Sequence, residues 1–431
     1  MKIRDDVISI GGVPISEIAE KYGTPTYVYD GEKIIKNYQT ALNYARKYYS
    51  NFDFFYAIKA CNNLQIANLL VKNGAGIDAA SVNEIYLAKA LGLNGNKIMF
   101  SGNFLSDEDL KVALESDVLI NLDDISLFNR LKKIGLPEII CFRVNPGYGR
   151  SNVGEYVTNA GPNAKFGVHP DHVVEAYRLA KQSGIKRFGA HMMPGSCILD
   201  ADYFHNITEM LIDIILKVAL ELNINFEFIN LGGGLGIPYK NNETPLDIDA
   251  TMKGISDIIH NFFTDNNLPK PKILMEPARY FVGNAGYIVG KVHAIKNSYS
   301  KIIGTDVSMN VLARPAMYDA YHHIYVDQKE SDPREKLGLC GQVCENTDFW
   351  CKDRDLPETI DVGDLIVVKD AGAYGYSMSY QYNGRLRPAE VLVQNNKTVL
   401  IRSREKFKDI IKNMILPYEI QDNVYAILNN L

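Results

Sequence analysis

Lys59 follows directly on the apolar run FFYAI (54–58). A lysine there stands where a strand gives way to a loop. Partial removal from water lowers the pKa of such an amine and frees it for Schiff-base chemistry. A surface lysine just beyond a strand has the same local sequence. Far along the chain, LGGGLG (231–236) offers three successive glycines whose backbone N–H groups suit an anion, the more so if a helix N-terminus follows. A tight turn also uses glycines. Another apolar run, KILME (272–276), leads into EPAR (276–279), which brings the carboxylate of Glu276 and the cation of Arg279 into play. Phosphate and a reactive amine together describe a pyridoxal-phosphate site, in which Glu276 would hold the pyridine nitrogen protonated so that the ring acts as an electron sink. A structural ion pair at Glu276 is the competing reading, and Asp78 with Arg143 reads as such a pair.

These residues can meet only if the elements that carry them converge. From residue 50 onward, short apolar runs alternate with helical patterns. The runs are FFYAI (54–58), GIDAA (76–80), KIMF (97–100), VLINL (118–122), IICFRV (139–144), RFGAHM (187–192), FEFINL (226–231) and KILME (272–276). Helical spacing of apolar residues fills intervals such as 83–90, 171–181 and 204–222. Continuous apolar strands alternating with helices imply a parallel sheet covered on its outer face, and eight units match a closed (β/α)8 barrel. A doubly wound open sheet is the alternative. In a barrel, catalytic groups stand at the C-terminal ends of the strands, and the loops after strands seven and eight commonly hold a phosphate. That is where LGGGLG and EPAR fall.

After about residue 281 the helical patterns cease. YIVGKVHAI, KIIGTDV, HHIYV, DLIVVKD and AEVLVQ read as strands of a β domain, closed by one helical stretch over 404–414. VISIGG and TYVYD near the start read as further strands of it. The division expected is therefore a barrel over 31–280, with 1–30 and 281–431 forming the β domain. The Gly- and Asn-rich stretch 146–167 follows strand five and reads as a lid over the catalytic face.

The composition excludes several classes. With 46 basic and 51 acidic residues the chain carries a net charge of −5, which gives no footing for nucleic acid. The opening MKIRDDVISI lacks the apolar run of a signal peptide, and no window is apolar enough for a membrane span. A cytoplasmic protein is expected. The six cysteines are scattered rather than framed for disulfides. Cys340, Cys344 and Cys351 lack a CxxC pair and a nearby histidine, so no metal is expected there. His322 and His323 fall in an expected strand, where neighbouring side chains face opposite ways, so both cannot enter one site.

YAIKA, LGGGLG, EPARYFV, ARPAMYDAYH, CENTD and DAGAYGYSM followed by YNGRLRPAEV occur in this order across nearly the whole chain. In these motifs the sequence resembles the fold-type III pyridoxal-phosphate decarboxylases, meso-diaminopimelate decarboxylases in particular. The resemblance implies that Lys59 carries the cofactor and that Ser196, Gly233 and Gly234 bind its phosphate together with EPAR and Tyr374. It implies that Glu276 meets the pyridine nitrogen, and that His191 belongs to the cofactor site. Arg279, Arg314, Tyr318, Glu345 and Tyr374 match substrate-holding positions, and Cys344 matches the proton donor. The family's cysteine–glutamate segment reaches into a partner's site, so a homodimer with shared sites is expected.

Five positions depart from the family pattern: Cys61, Asn83, Met193, Ala278 and Asn346. The second histidine of HxHxGS, which stacks on the cofactor ring, is Met193 in HMMPGS. A methionine can cover a ring face through sulfur–aromatic contact but offers no comparable hydrogen bond. Arg279, Arg314 and Tyr318 suit a second carboxylate at the far end of a substrate. That favours decarboxylation of meso-diaminopimelate to L-lysine over a related substrate such as D-lysine, D-ornithine or a carboxylated polyamine. Racemases and cofactor carriers share the barrel, but the cysteine of CENTD and the β domain speak against them.

Overall fold

A computed structural model describes residues 1–153 and 158–430. The chain divides into two compact units, Glu32–Ala285 and Met1–Gly31 with Gly286–Leu431.

The first unit is a closed barrel of eight parallel strands: Phe52–Ala57, Gly76–Ala79, Ile98–Phe100, Leu119–Leu122, Ile139–Val144, Arg187–Met192, Phe226–Asn230 and Lys272–Met275. The open-sheet alternative is thereby set aside. Helices follow each of the first seven strands, three of them starting at Ser81, Ser106 and Asp124, whose side chains accept backbone N–H bonds as N-caps. Phe55, Met99, Leu119, Cys141, Phe228 and Leu274 pack together as one buried cluster. Strands two and six supply glycines: a Cβ at Gly76 would lie 2.8 Å from the Phe55 ring, and one at Gly189 would lie 2.0 Å from the Phe228 ring. Two large rings thus occupy space that two glycines leave open, and the barrel interior is a packed core.

Side chains alternate across a strand, so the residue two positions further along faces the same way. Two steps beyond the apolar layer stand Ala57, Asp78, Ser101, Asn121, Arg143, His191, Asn230 and Glu276. An apolar floor therefore carries, at the C-terminal side of the strands, a ring that is polar at every position but Ala57. This one register relation places the chemistry.

In the second unit a mixed sheet runs in the order Phe349–Pro357, Arg334–Cys340, Lys301–Thr305, Gly286–Asn297, Thr26–Asp30, Ala389–Gln394, Lys397–Arg402. Leu365–Val368 joins Gly286–Asn297 and also pairs with Ile324–Val326. TYVYD is a central strand of this sheet, whereas VISI forms a small separate sheet, although Ile8 and Ile10 pack into the core with Val28, Val289 and Val393. Three strands of the mixed sheet escaped the sequence reading, because Arg334–Cys340, Phe349–Pro357 and Lys397–Arg402 are rich in charges and partly exposed. The helix expected over 404–414 is shorter, Phe407–Ile411, and a second one, Tyr418–Asn430, follows it. His322 and His323 precede their strand rather than lying in it.

Candidate active site

Lys59 lies in a single turn of 3-10 helix, Ile58–Ala60, two residues past the first strand. Its Nζ sits 2.7 Å from Asp78 Oδ2 in the neighbouring strand. The lysine side chain is 44% exposed, so the amine is only partly removed from water and is held by the Asp78 carboxylate. Asp78 is wholly buried, and its Oδ1 makes no hydrogen bond. Burial and the nearby charge of Glu276 push the Asp78 carboxyl up, against the pull of Lys59. Arg143 is not the partner of Asp78. Its guanidinium donates to the Asn159 carbonyl at 3.0 Å and lies over the Phe166 ring, because the stretch after strand five folds back onto it. Glu84, which caps the Ala80 amide at 2.7 Å, is pushed up by burial in spite of that bond.

Beyond strand eight, which pairs with strand one, Glu276 is fixed on both oxygens. Asn230 Nδ2 donates to Oε1 at 2.6 Å, and His191 Nε2 lies 3.1 Å from Oε2. Burial alone would raise this carboxyl, but His191, Lys59 and the Asn230 bond outweigh it and hold Glu276 below the usual range. It stays ionised in a buried place. The other nitrogen of His191, Nδ1, has no hydrogen-bond partner among the described residues.

Asn230 is the residue the sequence reading missed. Its Oδ1 accepts the Gly232 amide at 2.9 Å, and the Glu276 amide donates to the Gly232 carbonyl at 2.7 Å. One amide side chain thus ties the glycine loop to the glutamate. The signal was available: Asn230 stands in FEFINL two residues beyond the inward Phe228.

The glycine loop runs against its neighbours with no room for side chains. A Cβ at Gly233 would lie 2.7 Å from the Glu276 carbonyl, and one at Gly234, where φ is +95°, would lie 2.9 Å from the Gly195 carbonyl. Met193, at the position where the family pattern has a histidine, places its sulfur 2.8 Å from the Gly233 nitrogen. Among the described residues, the Gly234 amide and the Ser196 hydroxyl make no hydrogen bond within the chain. Arg279 follows Glu276 on a short helical turn, is buried, and bonds the Tyr239 hydroxyl. The first unit therefore brings Lys59, His191, Ser196, Gly233, Gly234, Glu276 and Arg279 to the strand ends and the loops that follow them.

The stretch read as a lid includes 154–157, which lie outside the described residues. Its first part is tied to the Ser196 segment, since Arg150–Ser151 pair with Gly195–Ser196 and the Asn152 amide donates to the Ser196 carbonyl at 3.2 Å.

The remaining predicted residues belong to the second unit. Arg314 opens a short helix, is 2% exposed, and meets His322. Tyr318 ends that helix. Cys344 and Glu345 lie on an exposed loop whose ends are pinned by the buried Asp348, which accepts the Met309 amide at 2.6 Å and the Val343 amide at 2.8 Å. Tyr374 has a left-handed backbone, φ +57°. All six cysteines are free, and the described residues contain no group of three or more His, Cys, Asp or Glu suited to a metal.

The barrel mouth fits pyridoxal phosphate. Side-chain-free backbone with donors to spare suits the phosphate, the fixed anionic Glu276 suits a protonated ring nitrogen, and Lys59 supplies the amine. Barrel and site together define a pyridoxal-phosphate enzyme.

The profile described as "Pyridoxal-dependent decarboxylase, pyridoxal binding domain" matches residues 33–283. The chain belongs to this family of pyridoxal-phosphate-dependent decarboxylases, which are carboxy-lyases. It is 43% identical over 410 residues to the diaminopimelate decarboxylase of Methanothermobacter thermautotrophicus, covering 95% of each chain. It is 37% identical to that of Thermoplasma acidophilum, covering 94% of this chain and 97% of the relative. The crystal structure of the M. jannaschii diaminopimelate decarboxylase in complex with L-lysine superposes with a TM-score of 0.86 at 34% identity, covering 97% of this chain and 98% of the other.

Proposed function

We propose that the enzyme decarboxylates meso-diaminopimelate, releasing one carboxylate as carbon dioxide and leaving L-lysine. The relatives named above act on diaminopimelate by name, and one is seen with L-lysine bound. The observation that carries the chemistry is the polar ring, in which Lys59 on Asp78 stands with a Glu276 clamped by His191 and Asn230. Bound pyridoxal phosphate supplies the electron sink that takes the pair freed when carbon dioxide departs.

The chain's own residues do the rest. Lys59 would anchor the cofactor, while Gly233, Gly234, Ser196, Arg279 and Tyr374 hold its phosphate. Glu276, kept ionised, would hold the proton on the ring nitrogen. Arg279, Arg314, Tyr318, Glu345 and Tyr374 hold the substrate, with Arg314 on the carboxylate that is retained. Cys344 donates the proton that replaces the lost carboxylate at Cα. The exposure of Cys344 and Glu345 supports a homodimer in which they serve the neighbouring chain's site. The same reading puts the enzyme in the cytoplasm, in keeping with the absence, among the described residues, of any helix long and apolar enough to cross a membrane.

Incubation with meso-diaminopimelate labelled at both carboxyl carbons tests the proposal. Equal amounts of labelled carbon dioxide and singly labelled L-lysine are expected. Release of D-lysine, or no turnover beside brisk turnover of D-lysine or D-ornithine, would replace it.

A further inference from the structure

Arg314 and His322 are eight residues apart and meet because the chain reverses between them. The helix Arg314–Tyr318 ends at Asp319, whose left-handed backbone (φ +51°) turns the chain back, and the Asp319 amide bonds the Pro315 carbonyl at 3.0 Å. His322 then lies almost wholly buried, with Nε2 2.8 Å from Arg314 Nη1 and Nδ1 2.8 Å from the Lys369 carbonyl.

Chemistry fixes the proton on this ring. A backbone carbonyl only accepts, so Nδ1 must carry the hydrogen. A guanidinium only donates, so Nε2 must present its lone pair. The two contacts together allow one tautomer of a neutral imidazole and no other state. Lys369 in turn is held in place, its amide donating to the His323 carbonyl at 2.9 Å just beyond the strand Leu365–Val368. The backbone of one sheet strand therefore orients the imidazole, and the imidazole orients one arm of the guanidinium. An arginine recognises a carboxylate through a planar fork, so the direction of that plane matters as much as its charge.

We propose that His322 is a positioning residue that sets the direction of Arg314 and thereby selects ligands that carry a retained carboxylate. This rests on the assignment of Arg314 to that carboxylate. His322 itself touches no substrate in this scheme.

Two substitutions separate the contacts. His322→Asn keeps a short amide donor for the Lys369 carbonyl but has no acceptor at the Nε2 position. His322→Gln extends an oxygen toward Arg314. The readout is equilibrium binding to the cofactor-loaded enzyme of L-lysine, which bears the carboxylate, and of cadaverine, which lacks it. Because His322 acts on the ligand only through the direction of Arg314, which keeps its charge, His322→Asn should weaken L-lysine by less than loss of the arginine does, about 3- to 10-fold. Cadaverine affinity, cofactor absorbance and melting temperature should stay put, and His322→Gln should recover most of the L-lysine affinity. Equal weakening of both ligands, or no gain of Gln over Asn, would mark a structural histidine and overturn the proposal. Arg314→Ala serves as the control and should weaken L-lysine alone by about 10- to 150-fold. If Arg314→Ala spares L-lysine, the carboxylate assignment falls and His322 with it. If Arg314→Ala weakens L-lysine while His322→Asn does not, only the positioning role falls.

Discussion

Lys59 Nζ lies 2.7 Å from a carboxylate oxygen of Asp78, a side chain with no exposed surface, whose second oxygen has no hydrogen-bond partner. A buried carboxylate left half unsatisfied is costly, and such costs persist mainly where function uses them. Here the buried charge holds a flexible, half-exposed amine at one point of the barrel mouth.

Lys59 should therefore be the lysine that bears the cofactor. Borohydride reduction of the cofactor-loaded enzyme, followed by peptide mapping, should place the label on the peptide containing Lys59. Lys59→Ala should lose the absorbance band of the covalent link. Label on any other lysine would contradict the assignment.

Asn230 should matter to cofactor affinity although it lies below the cofactor loop rather than in it. Asn230→Ala removes a hydrogen bond to the Glu276 carboxylate and another to the Gly232 amide. A bond to a charged group is worth roughly 1.5–3 kcal/mol, or about 10- to 150-fold in binding. Fluorescence titration of the apo-protein with pyridoxal phosphate should show a rise in Kd of that order. An unchanged Kd would mean that His191 alone suffices to hold Glu276.

The barrel was legible in the sequence because each strand is a continuous apolar run and each ends near a residue of chemical interest. Ile139–Val144 and Arg187–Met192 coincide with the runs IICFRV and RFGAHM. What the runs did not disclose was pairing. Asp78 and Arg143 looked like ion partners because both sit near strand ends, yet Lys59 is nearer and Asn159 with Phe166 engage the arginine. In the β unit, Phe349–Pro357 reads FWCKDRDLP, a strand in which Lys352, Asp353 and Asp355 face water, so its alternation is blurred. The terminal helix Tyr418–Asn430 has no buried residues, and packing left no strong apolar stripe to read.

Two groups of the β unit should oppose each other in their effect on stability with pH. Burial raises the Asp348 carboxyl from 3.8 to about 6, so the folded state holds its proton longer and this group's contribution falls as pH rises from about 4 to 6. Burial, aided by Lys369, Arg354 and Arg334, lowers His323 from 6.5 to about 4, so its contribution is full above 6.5 and is lost as pH falls toward 4. The melting temperature of Asp348→Asn relative to wild type should therefore climb between pH 4 and 6.5, and that of His323→Asn should decline. Parallel trends in the two variants would refute the paired shifts.

The proposed homodimer, with Cys344 serving the neighbouring chain's site, predicts complementation. Lys59→Ala and Cys344→Ala are each expected to be nearly inactive alone. Mixed under conditions of subunit exchange, they should regain a fraction of wild-type activity, since one hybrid site then has both residues intact. Continued inactivity despite exchange shown by mass tagging would place Cys344 in its own chain's site.

A site built for a substrate with two amino-acid ends must tell meso-diaminopimelate from D-lysine. Comparison of kcat/KM for meso-diaminopimelate and D-lysine on the wild-type enzyme tests it most directly, because the two differ in the carboxylate that stays behind. A charge-assisted bond to that group predicts a preference for meso-diaminopimelate of at least about 10-fold. Equal values, or a preference for D-lysine, would mean that no group of the site holds the retained carboxylate.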